Sequence, residues 1–113
     1  MQAELPIRTW SEANARVHWA RRARRAREQR RVARMSLRAA LAAHGQPSLP
    51  ATITLTRLAS RKLDSDNLAS ALKAVRDGVA DALGIDDGDE RLAWHYAQDK
   101  APRGHYAVRV EIT

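Results

Sequence analysis

The sequence predicts a single α+β domain over residues 1–113, with elements in the order β-α-β-α-β-β. Two stretches read as helices: an Ala- and Arg-rich run over about 17–44 that lacks Gly and Pro, and a run over 66–83 with strong 3.6-residue periodicity. Three others, 51–58, 91–99 and 105–112, alternate as strands do. A chain of 113 residues fits one domain, and no internal repeat divides it.

The first element is a short strand over ELPIRTW (4–10), which Pro6 confines to a sheet edge or to a late start. Ser11 offers a turn or a helix N-cap. The helix of about 17–44 ends at Gly45, with Pro47 beyond it. Val32, Met35, Ala39 and Ala42 recur at helical spacing and are expected to face the core. QPSLP (46–50) is a linker that delivers an extended chain into ATITLTRL (51–58). There Ile53 and Leu55 share one face, with threonines on the other.

Over 66–83, Leu68, Leu72, Val75, Val79 and Ala82 or Leu83 form the apolar face, while Asp66, Ser70, Lys73 and Asp77 lie opposite. Gly84 is the expected C-cap, and IDDGDE (85–90) an acidic turn. The last two strands are expected to form a hairpin around KAPRG.

The formal net charge of +7 points to a polyanionic partner, most simply nucleic acid. Its distribution is uneven. Residues 1–50 hold eleven Arg against three Glu, and residues 51–113 hold nine Lys/Arg against ten Asp/Glu. In ARRARRAREQRR (20–31), Glu28 is the only acid, so Arg21, Arg22, Arg24, Arg25, Arg27, Arg30 and Arg31 suit a phosphate backbone. The other reading is a solvated charged face. Trp19 can stack on a base, or serve as a core or dimer contact.

The acidic region, 61–89, carries the other chemistry. Asp64 and Asp66 sit where a strand hands over to a helix, and Asp86, Asp87 and Asp89 lie past that helix's far end. Clustered hard oxygen donors suit Mg²⁺. The same aspartates also suit helix capping and turns. The two roles need not compete, because one oxygen of Asp66 can cap while the other faces an ion. The two groups can meet only if the chain after Leu83 folds back beside Asp64, or if a second subunit supplies one of them. Lys73 shares a face with Asp66, where it can stabilise charge on a phosphate or pair with Asp77 at i, i+4.

Several classes are excluded. Without cysteine there is no disulfide or thiolate metal site. A calcium loop counted from Asp64 fails at Ala69 and Val75. The four histidines have no ligand spacing, and no glycine-rich phosphate loop or Ser/His/Asp arrangement is present. No apolar run approaches the ~20 residues that span a bilayer. The N-terminus lacks the pattern of a signal peptide, so a soluble cytoplasmic protein is expected.

RKLDSDNLASALKAVRDGVADALGIDDGDERL resembles the RusA-type Holliday-junction resolvases of phages and prophages. The family pattern is D-x-D-N opening a helix, a lysine on that helix, a D-A/G-L/V-type stretch, and a D-D turn leading to a strand. Here these are Asp64-x-Asp66-Asn67, Lys73, Asp77-Gly78-Val79 and Asp86-Asp87. SEANARVHWARRARRAREQR resembles the N-terminal region of phage members. The likeness covers nearly the whole chain.

The resemblance implies a homodimer with a mixed sheet and helices packed on it. It implies paired nicking of four-way DNA junctions, with Mg²⁺ as cofactor, Mn²⁺ as a substitute and no organic cofactor. Asp64, Asp66 and Asp87 would be catalytic metal ligands, with Lys73 as the catalytic lysine. Arg61 and Lys62, just before Asp64, are candidate DNA contacts, and either could substitute for Lys73. Family members carry the lysine one helical turn after the second aspartate, where this chain has Ser70. The other readings are a nuclease for flaps or other branches, and a non-catalytic nucleic-acid-binding module.

Overall fold

The computed structural model describes residues 1–10 and 18–113. The Ser11 cap and the helix start at Val17 lie outside the described residues. Around the sheet the chain forms β1 (Gln2–Leu5), α1 (Trp19–His44), β2 (Ala51–Ala59), α2 (Ser65–Ala71), α3 (Lys73–Leu83), β3 (Leu92–Lys100) and β4 (Ala107–Ile112).

The sheet is mixed, in the order β1-β4-β2-β3. Central β2 pairs in parallel with β3 and antiparallel with β4, and β4 pairs antiparallel with edge strand β1. The α+β class therefore holds. Alternation along β2 puts Ile53 and Leu55 wholly inside, with Val108, Val110 and Leu5 beside them on the same face. The helices supply the other half of this core through Leu37, Leu41, Leu68, Leu72, Val75 and Val79. A small second cluster, Leu58, Ala101 and Ala107, closes one end of β2 on the opposite face.

Four expectations are corrected. First, β3 and β4 are not a hairpin, because β2 lies between them. Crossing one intervening strand means a gap of about 10 Å, which a six-residue connection spans easily. Second, β1 ends at Leu5 instead of running through 4–10. Pro6 cannot donate to a ladder, although Ile7 and Thr9 beyond it remain buried.

Third, the helix of 66–83 is two helices. Leu72 sits at φ −97°, ψ 0°, and its N–H is shared between the carbonyls of Leu68 and Ala69. The apolar spacing continues across this bend, so the sequence reads as one helix. Fourth, the buried stripe of α1 is Ala33, Leu37 and Leu41, while Met35 is 54% exposed and Ala39 and Ala42 face solvent. With so many alanines the sequence hardly discriminates between faces. Leu37 and Leu41, the two large apolar groups, decide the rotation.

The crossing of α1 over α3 is very close. A Cβ built on Gly78 would fall 2.7 Å from the Cβ of Ala33 and closer still to the carbonyl oxygen of Arg30. Beyond α3, Gly84 adopts the left-handed conformation at φ 71°. Its N–H bonds Asp81 O while that of Ile85 bonds Ala80 O, a double closure that stops the helix and opens the acidic turn.

Candidate active site and nucleic-acid interface

Alternation along β3 aims Trp94, Tyr96 and Gln98 at the helical side of the sheet, since they pair with Ile53, Leu55 and Arg57. Each holds a different part of the acidic region. The Trp94 indole N–H donates to Asp87 O at 2.8 Å. Tyr96 Oη accepts from Arg76 at 2.9 Å. The Gln98 carboxamide takes the N–H of Leu63 and gives a proton to its carbonyl, both at 2.8 Å. The backbone that delivers Asp64 is therefore moored to one end of β3 and the Asp87 turn to the other. At ~3.3 Å per residue, these moorings are about 13 Å apart.

Between them lies a charge network. Arg76 donates to Asp87 Oδ2 at 2.9 Å and to Asp87 O at 3.1 Å, and its guanidinium lies 4.7 Å from the Trp94 ring centroid. Lys73 Nζ sits 2.7 Å from Asp77 and 3.6 Å from Asp87. Partial burial works against ionisation of Asp87, but Lys73 and Arg76 outweigh it and hold the carboxyl below its ordinary range. The hydrogen bond from Lys73 to Asp77 raises the lysine's pKa despite some desolvation, so the ammonium stays charged.

The structure thus brings Lys73 and Asp87 together. The i, i+4 pair with Asp77 is also present. Because the chain bends at Leu72, Lys73 opens α3 rather than continuing α2 down a straight axis. Asp64 occupies the N-cap position of α2 with extended backbone but makes no side-chain cap bond. Asp66 stands in the first turn and is exposed. The capping role suggested for Asp66 is therefore corrected: the cap position belongs to Asp64. Asp87 folds back as far as Lys73, yet among the described residues no three acid or imidazole side chains converge as a preformed metal group.

The arginine helix divides in two. Arg30 is bound bidentately by Asp81 of α3, at 2.7 and 3.0 Å, and Arg31 pairs with Glu28 at 2.7 Å. Arg21, Arg22, Arg24 and Arg27 are exposed, and none makes an ion pair among the described residues. A groove of about 650 Å³ separates this half of α1 from residues 6–10, with Arg21, Arg24, Arg25 and Arg27 among its lining. Trp19 is 71% exposed, so it is not a core residue of this chain. Arg61 and Lys62 are exposed in the loop before Asp64.

Sequence reasoning missed Arg76, Trp94, Tyr96 and Gln98. The signal available was the period-2 row 94-96-98 on a strand following an acidic turn. Among the described residues no helix is long and apolar enough to cross a membrane.

No family model matches the chain. It is similar to an uncharacterized protein of Xylella fastidiosa (strain Temecula1 / ATCC 700964), 38% identical over 78 residues. The match takes in 66% of this chain and 51% of the relative, so it spans about half of that protein's length. This likeness carries no activity to the chain.

Proposed function

We propose that the chain is a Mg²⁺-dependent, structure-selective endodeoxyribonuclease that nicks four-way DNA junctions as a homodimer. The observation that carries the reading is the state of Asp64: it holds a helix cap position without a side-chain cap bond, and exposed Asp66 follows two residues on. Two such carboxylates fit Mg²⁺, which takes one or two carboxylates together with water and substrate phosphate. Asp87 would join them by exchanging Arg76 and Lys73 for the ion. When bound, Mg²⁺ would polarise the phosphodiester and lower the pKa of a water, leaving a 5′-phosphate and a 3′-hydroxyl.

The chain's own groups do the rest. Lys73 and Arg76 converge on Asp87 and would stabilise charge building on the phosphate. The exposed arginines of α1 would hold the arms by their backbones. Two-fold symmetry would present two sites to two strands.

The test is a nicking assay with Mg²⁺ on a synthetic four-way junction, a flap and a linear duplex. Selective paired nicking of the junction is expected, and equal cutting by Asp66→Asn would sink the site. Preference for the flap would move the substrate to simpler branches. A second reading, a nucleic-acid-binding module without catalysis, draws on the pairing of Asp87 with Arg76. It expects salt-sensitive binding and no cutting.

A further inference from the structure

The fourth inward position of β2, after Ala51, Ile53 and Leu55, is Arg57, only 7% exposed. A guanidinium cannot discard its proton, so the charge itself is buried. Buried charges are normally matched by an opposite one. Here Nε donates to Thr9 Oγ1 at 2.9 Å and Nη1 to Arg61 O at 2.6 Å, both neutral acceptors. Among the described residues no carboxylate forms an ion pair with Arg57. Burial disfavours its cationic form; the Tyr106 hydroxyl works against that, and the like charge of Arg8 is near enough to add to it.

Arg8 is itself held in place, with its guanidinium 4.0 Å from the Trp10 ring and 4.1 Å from that of Tyr106. Arg25 reaches the same Trp10 ring at 4.2 Å. Aromatic faces position cations without neutralising them. Arg8 also lines the groove beside α1, and the carbonyl that Arg57 grips lies three residues before Asp64.

We propose that Arg57 and Arg8 form a phosphate-binding site, at which one backbone phosphodiester of a DNA strand is gripped between the groove along α1 and the Asp64 loop. The buried guanidinium supplies directed donors from behind, and the stacked one closes over the phosphate from the solvent side. The inference deepens the nuclease reading and rests on it for the identity of the strand.

The experiment is done in EDTA, so that cleavage plays no part. Binding of a fluorescent four-way junction is measured across a NaCl series for the wild type, Arg57→Met and Arg8→Ala. Thermal melting is followed with inorganic phosphate against chloride of equal ionic strength. We expect each variant to bind the junction about 10-fold more weakly, with a salt slope lower by about one. We also expect the phosphate-induced rise in Tm to be at least halved. If Arg57→Met does not fold, Arg8→Ala, altered at an exposed side chain, still gives both readouts.

Wild-type affinity and slope in the folded variants would overturn the proposal. A phosphate response without any effect on junction binding would overturn the assignment to DNA. Weakened binding by these variants, in a protein that never cuts with Mg²⁺, would retain the phosphate site and reject the nuclease.

Discussion

Around Asp87 the carboxylate is met by Arg76 and Lys73, whereas Arg21, Arg22, Arg24 and Arg27 of α1 make no ion pair among the described residues. Arg76 is used at three atoms, by the carboxylate and carbonyl of Asp87 and by Tyr96, while Lys73 bridges Asp77 and Asp87. Arg21, Arg22, Arg24 and Arg27 repeat one charge on an exposed surface. The first arrangement fixes side chains relative to one another. The second leaves them to be ordered by what they bind. The proposed nuclease would use both kinds of region: a geometry set before the substrate arrives, and an adaptable field that gathers it.

The contrast can be broken at several points. The largest effect is expected from Asp66→Asn. If Asp66 is a ligand in the proposed nuclease, its loss removes several kcal/mol of charge stabilisation and should cut Mg²⁺-dependent nicking by about 10³-fold in single-turnover assays, with junction binding retained. Next comes the helix crossing that mounts both regions on one body. Gly78→Ala must push α1 off α3, and urea unfolding should show a loss of about 1–3 kcal/mol.

The open field should respond differently. Arg24→Ala with Arg27→Ala should leave stability within about 0.5 kcal/mol. It should weaken binding to all DNA forms alike and lower the salt slope by about one for each phosphate that is no longer neutralised.

The smallest effect concerns acid. The carboxyl of Asp87 is held below its ordinary 3.8, so the native state gives up that proton more readily than the unfolded chain. Its stabilisation is present above about pH 4 and disappears as pH falls through the lower native value. Asp87→Asn should flatten the acid limb of a stability-against-pH curve, measured by urea midpoint, with no change in its shape above about pH 5.

Much of this is legible in the sequence because burial follows period. Leu68, Leu72, Val75 and Val79 are all inside, as their spacing requires, and Gly84 ends α3 as its backbone freedom allows. What escapes is what local pattern does not encode. Nothing in KAPRG says whether two strands will pair or admit a third between them. The face of α1 is misjudged because alanine serves on either side of a helix. The acidic pair is visible as residues, but whether Asp64 caps with its side chain depends on a rotamer. That Asp87 meets Arg76 depends on a turn closing onto a strand. Arg57 could have been singled out: in ATITLTRL the alternation that buries Ile53 and Leu55 buries position 57 as well.

The moorings on β3 carry one more implication. Trp94 and Gln98 have the same parity, so a single strand serves as a common rail for the two acid-bearing loops. Moving along it by two residues would re-space the carboxylates in a step of about 7 Å, whereas an insertion of one residue would send an entire arm of the rail to the wrong side of the sheet. The spacing of the two moorings on β3 is therefore set in steps by the pleat. Evolution can adjust the distance between the carboxylates in whole steps through β3, and more finely through the two loops and the rotamers of the aspartates.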